Sequence, residues 1–217
     1  MFDFSAAREQ MVECQIRTAD VTDYSVLSAF RNIPRELFVP KSASALAYSD
    51  TNINLDSNRV MLAPRTLAKM IQAAEVEPTD IVLDIACGRG YSSAILARLA
   101  ETVVALEEDA ETVDKATAAL SDSGADNAVV VQGDIKVGAS EHGPFDVIFV
   151  NGAVETVPQN WLSQLAENGR LVLIEEMDGV GRAVIYSKNG AGIGHRVIFD
   201  ASAPILNGME REKAFAF

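Results

Sequence analysis

Several features that mark special classes of protein are scarce or missing in this sequence of 217 residues. It has two cysteines, Cys14 and Cys87, too few for a disulfide framework or a four-cysteine metal site. No apolar run approaches the ~20 residues that a membrane span requires. The start, MFDFSAAREQ, lacks the basic and apolar regions of a secretory signal. We therefore predict a cytoplasmic protein that does not associate with membranes.

Basic residues and histidines are also scarce. Lysine and arginine total 18 against 31 aspartates and glutamates, which gives a formal net charge of −13. Because nucleic-acid binding requires clustered basic side chains, we predict no nucleic-acid partner. The two histidines, His142 and His195, lie far apart and neither has a paired ligand at metal-binding spacing. We therefore predict no metal site.

From residue 81 onward the sequence alternates between short apolar runs and helix-like segments. The runs are rich in valine and isoleucine, which is typical of parallel strands that are covered on both faces. This order predicts an α/β fold with a doubly wound, mostly parallel sheet. The predicted strands are Ile81–Ile85, Val103–Glu107, Val129–Val131, Val147–Val150 and Leu171–Ile174, and the predicted helices are Ser92–Leu99, Ala110–Leu120 and Gln159–Ala166.

The C-terminal part has a different pattern. Ala183–Lys188 and His195–Ala201 flank the turn-forming sequence Asn189-Gly190-Ala191-Gly192. Two strand-like runs around such a turn predict a terminal antiparallel hairpin that extends the sheet.

The N-terminal part is predicted to be helical. Helical patterns cover Ser5–Arg17 and Thr22–Ile33, with Thr22 as the N-cap of the second, and a further helix is predicted over Arg65–Ala74. We predict an N-terminal helical lid and substrate segment over residues 1–62. Residues 63–217 then form the ligand-binding core together with the C-terminal hairpin.

A Gly-Arg-Gly loop, Gly88 to Gly90, directly follows the first strand of the alternating region. Glycines in this position let the backbone approach a ligand closely. The sequence lacks the lysine of a nucleoside-triphosphate loop, and the third small position of the dinucleotide fingerprint is occupied by Ser93. S-adenosylmethionine fits better, because a carboxylate at Asp84 can pair with its ammonium group, which a nicotinamide cofactor lacks.

Further polar residues follow the next strands, where ligands bind in folds of this kind. Glu107 ends the second strand and is suited to the two ribose hydroxyls. After the third strand, Asp134 is suited to the adenine amino group and Ile135 to one face of the ring. The predicted cofactor-binding residues are Asp84, Ala86, Cys87, Gly88, Gly90, Tyr91, Glu107, Glu108, Gly133, Asp134 and Ile135.

At the level of longer motifs the chain resembles the protein-L-isoaspartate O-methyltransferase family of class I S-adenosylmethionine-dependent methyltransferases. The matching segments are MVECQIRTADVTDYSVLSAFRNIPRELFVP (Met11–Pro40), AYSD (Ala47–Asp50), VLDIACGRGYSSAILARL, GPFDVIFVNGA and WLSQLAENGRLVL. The resemblance implies a Rossmann-like sheet of the seven-stranded type. It also implies transfer of a methyl group from S-adenosylmethionine to a carboxyl group of a protein or peptide, with S-adenosylhomocysteine as product.

One segment departs from the family. Members usually carry a Gly-x-x-x-Thr-Ile-Ser-x-Pro loop whose serine lies at the active site. Aligned on Pro64, this chain has Asp56 in place of the glycine, Val60 in place of the threonine and Leu62 in place of the serine, and Ser57 lies five residues too early to replace it. Since leucine donates no hydrogen bond, the loop predicts poor recognition of an isoaspartyl carboxylate.

This departure leaves three functions open. The chain is an O-methyltransferase acting on a protein or peptide carboxyl group, a methyltransferase of the same fold with a small-molecule or neutral acceptor, or a cofactor-binding sensor without catalysis. The catalytic residues are not identified by the sequence, and the candidates near the acceptor are Val60, Leu62 and Asn151. We expect a monomer or a weak dimer.

Overall fold

The computed structural model describes residues 3–55 and 59–211. The strands within them are β1 (Ile53–Asn54), β2 (Val60–Met61), β3 (Ile81–Ile85), β4 (Thr102–Glu107), β5 (Ala128–Gln132), β6 (Phe145–Val154), β7 (Leu165–Met177), β8 (Val180–Asn189) and β9 (Gly192–Asp200). Seven of these strands form one sheet in the order β5-β4-β3-β6-β7-β8-β9, and β1 and β2 form a separate small hairpin.

Helices cover both faces of the sheet's parallel half and form most of the N-terminal segment. They are α1 (Phe4–Met11), α2 (Tyr24–Asn32), α3 (Pro64–Ala74), α4 (Tyr91–Ala97), α5 (Ala110–Ser123) and α6 (Gln159–Ser163). The predicted α/β class, the mostly parallel sheet and the helical N-terminal segment are confirmed. No helix in the described ranges is long and apolar enough to cross a membrane.

The parallel register places the ends of neighbouring strands side by side. β3 pairs in parallel with β4, with Asp84 opposite Ala105, and with β6, with Ile85 opposite Val150. Asp84, Glu107 at the end of β4 and Asn151 after Val150 therefore meet at one edge of the sheet. This is the edge at which open α/β sheets bind ligands.

The antiparallel part of the sheet is larger than predicted. β8 pairs with β9 as the sequence indicates, but it also pairs antiparallel with β7. Asp178 and Gly179 connect β7 to β8 with positive φ values of 54° and 80°, as a tight two-residue hairpin turn requires. The sequence interpretation identified the second hairpin and missed the first.

Two helix boundaries predicted from the sequence are wrong. The N-cap of α2 is Asp23, whose carboxylate accepts hydrogen bonds from the backbone N–H groups of Ser25 and Val26 at 2.7 and 3.1 Å. The backbone N–H of Thr22 instead donates to the Gln72 side chain. The helix predicted to reach Ala166 ends at Ser163, because strand β7 already begins at Leu165.

The first predicted helix is a composite. An α-helix over Phe4–Met11 continues as a π-helical turn over Val12–Ile16 and a 3-10 turn over Arg17–Ala19. Met11, Val12 and Ile16 are fully buried. The changing helical pitch keeps the apolar side of this segment on the core.

One hydrophobic cluster joins the N-terminal segment to the sheet. It contains side chains that precede residue 62, such as Phe30 and Phe38, and side chains of the sheet and its helices, such as Val82, Ile95 and Val172. The burial of this shared surface holds the N-terminal segment against the ligand-binding edge.

Candidate active site

The glycine loop adopts the backbone conformation for which glycine is needed. Gly88 and Gly90 have φ values of +56° and +87°, in the left-handed region that side chains disfavour. A Cβ atom on Gly88 would lie 2.8 Å from Cδ1 of Leu55, and one on Gly90 would lie 3.2 Å from Cγ of Leu120. Gly90 also precedes the first residue of α4. The loop therefore presents bare backbone next to the ends of β3 and β4.

Asp84 is fully buried and accepts three hydrogen bonds from side chains. Ser92 Oγ and Ser93 Oγ on α4 donate to Oδ2 at 2.7 and 2.5 Å, and Asn151 Nδ2 donates to Oδ1 at 2.7 Å. Burial raises the pKa of Asp84 to about 6, although these three hydrogen bonds favour the ionised form. At neutral pH the carboxylate carries a charge that three neutral donors stabilise in part.

Asn151, predicted near the acceptor, lies in the same network. It is 5% exposed, and its amide also contacts the Ile85 carbonyl at 3.5 Å. The structure thus brings Asp84 and Asn151 together across β3 and β6. Sequence reasoning missed Ser92 and Ser93 as partners of Asp84. The available signal was their position in the first turn of the helix α4 that follows the glycine loop.

Glu107 is also fully buried, and an unforeseen arginine holds it. Arg59 Nε lies 2.6 Å from Glu107 Oε1, and Arg59 Nη2 lies 2.8 Å from Glu108 Oε2. The backbone N–H of Gly88 donates to Oε1 at 3.2 Å, and that of Glu108 donates to Oε2 at 3.0 Å. The glycine loop, the end of β4 and the residue before β2 therefore meet at one carboxylate.

The third predicted cofactor segment lies beside Glu107. The backbone N–H of Gly133 donates to the Glu107 carbonyl at 2.9 Å. Asp134 is exposed, and its carboxylate accepts from the Lys136 backbone N–H at 2.8 Å. The Ile135 side chain is fully buried in the core, and its carbonyl accepts from Trp161 Nε1 at 2.7 Å. Of this segment, the Asp134 side chain is the one that solvent reaches freely.

Tyr91 and Cys87 flank the loop with buried side chains. The Tyr91 ring packs against Phe30 and Phe38 with centroid separations of 6.1 and 5.5 Å, and the Arg35 guanidinium lies 4.7 Å above it. Burial raises the pKa of Tyr91 to about 12. Burial, with the nearby carboxylates, also raises the pKa of the Cys87 thiol. A thiol with a raised pKa is a poor nucleophile at neutral pH.

The loop that differs from the family's Thr-Ile-Ser sequence forms an apolar wall of the site. Val60 and Leu62 are 4% and 1% exposed, and the Leu62 carbonyl accepts from Arg35 Nη2 at 2.8 Å. Neither side chain offers a hydrogen bond where the family has hydroxyl groups. Asp56 and Ser57, which replace other parts of the family loop, lie outside the described residues.

A small cavity lies between the glycine loop and the apolar wall. Its lining includes Leu55, Val60, Leu62, Cys87 and Asn151, and its free volume is about 10 Å³, room for about one water molecule. The polar groups of the site suit S-adenosylmethionine: carboxylates that accept hydrogen bonds from an ammonium and a ribose, and a glycine cradle that a Cβ atom would fill. The residues fit the group, provided that Leu55 and Arg59 move.

A seven-stranded, mostly parallel sheet with a glycine loop after its first strand and a carboxylate after its second defines a class I S-adenosylmethionine-dependent methyltransferase. Comparison with known proteins narrows this class. The profile of the protein-L-isoaspartate(D-aspartate) O-methyltransferase family matches residues 6–198. The chain belongs to this family.

Individual relatives agree with the assignment. The chain is 39% identical over 165 residues to a protein-L-isoaspartate O-methyltransferase of Methanoculleus marisnigri, covering 76% of this chain and 75% of the relative. It is 36% identical over 173 residues to protein-L-isoaspartate O-methyltransferase 1 of Syntrophobacter fumaroxidans, covering 80% and 81%. The predicted family is confirmed, and with it the prediction of an S-adenosylmethionine-dependent methyltransferase.

Solved structures show the same fold. A protein-L-isoaspartate O-methyltransferase superimposes with a TM-score of 0.82 at 25% identity, covering 93% of this chain and 66% of that one. A Plasmodium falciparum protein solved in complex with S-adenosyl-L-homocysteine superimposes with a TM-score of 0.79 at 19% identity, covering 95% and 99%. The latter likeness concerns the fold alone.

Proposed function

We propose that this chain transfers the methyl group of S-adenosylmethionine to a carboxyl group of a protein or peptide. The observation that carries the proposal is the meeting of Asp84, Gly88 and Glu107 at one edge of the sheet, in a chain of this family. When bound, the cofactor supplies an activated methyl group on a sulfonium.

Each cofactor-binding residue has a role that suits its chemistry. Asp84 holds the ammonium group of the methionine moiety, and Glu107 holds the ribose hydroxyls. Asp134, with its exposed carboxylate, accepts from the adenine amino group. Gly88 and Gly90 allow the backbone to approach the cofactor. Support comes from the buried, ordered carboxylates at the first two positions and the accessible one at the third.

The acceptor side of the site needs little acid–base chemistry. A carboxylate is already a nucleophile, so the chain's task is to align it with the methyl group and to keep water away. Val60 and Leu62 are suited to water exclusion. Asn151 is suited to a positioning role, because its amide fixes the Asp84 carboxylate from the side of β6.

A second candidate function is methyl transfer to a neutral or small-molecule acceptor. The observation in its favour is the apolar wall of Val60 and Leu62, which offers no hydrogen bond to a carboxylate. The third function, a cofactor-binding protein without catalysis, is disfavoured because the chain belongs to a family of methyltransferases. The division into a lid over residues 1–62 and a core over residues 63–217, the monomeric or weakly dimeric state and the cytoplasmic location stay predictions.

A methyl-transfer assay separates these functions. The protein is incubated with S-adenosylmethionine labelled in its methyl group and with an isoaspartyl peptide, a protein extract or an extract of small metabolites. Label on protein that is released as methanol at alkaline pH identifies carboxyl methyl esters and supports the proposed function. Label only on small molecules supports the second function. Cofactor binding without transfer to any acceptor refutes both and supports the third.

A further inference from the structure

The Arg59 side chain occupies the site that the proposed function gives to the cofactor ribose. Its guanidinium bridges the carboxylates of Glu107 and Glu108 at 2.6 and 2.8 Å, and the side chain is only 3% exposed. Its backbone is fixed, because the Arg59 carbonyl accepts from the Leu55 N–H at 2.8 Å beside the β1–β2 hairpin. The contact is therefore part of the folded structure rather than a chance surface pairing.

The Glu107 carboxylate has no room for a second set of partners. It is fully buried, and Arg59 Nε, Gly88 N and Glu108 N already donate to it. A carboxylate can accept about four hydrogen bonds. Three of these positions on Glu107 are taken, and solvent does not reach the fourth. Ribose hydroxyls can bind Glu107 only after the guanidinium has left Oε1.

Leu55, which pairs with Arg59 through its backbone N–H, closes the same space from another side. Its Cδ1 lies 2.8 Å from the point where a Cβ atom of Gly88 would stand. The backbone of the glycine loop, which the cofactor must approach, is thus covered by one residue of the hairpin while Glu107 is covered by another. A ligand that contacts both the glycine loop and Glu107 has to displace both side chains.

We propose that Arg59 competes with the cofactor for Glu107 and thereby sets the affinity of this chain for S-adenosylmethionine and S-adenosylhomocysteine. The inference rests on the proposed function, since it takes Glu107 as the ribose ligand. When a binding-competent state is only partly populated, the measured dissociation constant is the intrinsic one divided by that fraction. Loss of the guanidinium raises the competent fraction and tightens binding.

The test is calorimetric titration of S-adenosylhomocysteine into the wild-type protein, Arg59→Gln, Arg59→Lys and Arg182→Gln. We expect Arg59→Gln to bind about tenfold more tightly, which corresponds to a competent fraction of about one tenth in the wild type. Arg59→Lys should lie between the two, because one ammonium cannot span both carboxylates. Arg182, an exposed arginine 3.8 Å from Asp200, is the matched control and should bind as the wild type does.

Circular dichroism establishes whether each variant is folded. If Arg59→Gln does not fold, the affinity of Arg59→Lys relative to wild type tests the inference on its own. Equal affinities of the wild type and the Arg59 variants overturn the inference and leave the proposed function intact. Weaker binding by Arg59→Gln also overturns it, because Arg59 then orients Glu107 for the cofactor. If no folded variant binds S-adenosylhomocysteine, the inference and the proposed function fail together.

Discussion

Replacing Asp84 with asparagine should change how the stability of the protein depends on pH. Asp84 is buried beneath the glycine loop, and burial raises its pKa from 3.8 to about 6. The hydrogen bonds from Ser92, Ser93 and Asn151 offset only part of this effect. The folded protein therefore has to hold an ionised carboxylate at neutral pH at some cost in stability, and asparagine removes that cost.

The sign follows from proton binding. Below about pH 3 the carboxyl group is protonated in the folded and the unfolded chain, so it adds no dependence on pH. Between about pH 3 and 6 the unfolded chain loses the proton first, and the free energy of unfolding falls as pH rises. Well above pH 6 the carboxyl group is ionised in both states, and the free energy of unfolding falls no further on its account. A difference of about two in pKa corresponds to a loss of about 3 kcal/mol.

The assay is urea unfolding of the wild type and of Asp84→Asn at a series of pH values from 4 to 8, with circular dichroism as the signal. Asparagine also rearranges the local hydrogen bonds, but that effect is the same at every pH. The free energy of unfolding of Asp84→Asn, relative to wild type, should rise by about 2.4 kcal/mol between pH 4 and pH 7.5. Asp122→Asn, at an exposed position on α5, controls for the loss of one negative charge.

A relative stability of Asp84→Asn that stays constant within about 0.5 kcal/mol over this pH range would refute the reasoning. A fall with rising pH would show the opposite sign, with the three donors outweighing burial.

Three further predictions concern the cofactor and acceptor sites. Gly88→Val should abolish S-adenosylhomocysteine binding in calorimetry without unfolding the protein, because its φ is +56° and a Cβ would crowd Leu55; Gly124→Val, at positive φ in open space, should still bind. Glu107→Ala should weaken this binding by about 1–3 kcal/mol, as expected for a charged hydrogen-bond acceptor. A change in binding free energy below a few tenths of a kcal/mol would show that Glu107 does not bind the cofactor. The double variant Val60→Thr/Leu62→Ser should methylate an isoaspartyl peptide about ten- to a hundredfold faster than wild type, since one charged hydrogen bond is worth about 1.5–3 kcal/mol. Equal rates for wild type and double variant would contradict the argument from the lost hydroxyl groups.

The parallel half of the fold was predictable because its signals are local. β3 runs over Ile81–Ile85 as its apolar run indicates, and Asp84 and Glu107 meet because parallel strands end at a common edge. Local signals also misled. Thr22 and Asp23 are both good N-caps, and only the structure shows that the Asp23 carboxylate is the one that binds the N–H groups of the first turn.

The contact between Arg59 and Glu107 could not be predicted from the sequence. The two residues are 48 positions apart, and no periodic pattern links them. Arg59 lies directly before Val60, so the same loop that departs from the family also carries the cation that contacts the cofactor site. Its pairing depends on how the β1–β2 hairpin folds over the sheet, which is a matter of tertiary packing.

The hydrophobic cluster that joins Phe30 and Phe38 to Val82, Ile95 and Val172 limits how this protein can be re-engineered. A modular enzyme would allow its acceptor-recognition part to be exchanged for that of a relative. Here such a chimera would set foreign side chains against α3, α4 and the sheet, and each mismatch would leave a void or a clash in close-packed surroundings. If residues 1–62 are the predicted substrate segment, new acceptor specificity is therefore reached more readily by point changes at exposed or pocket-lining positions than by transplanting that segment as a block.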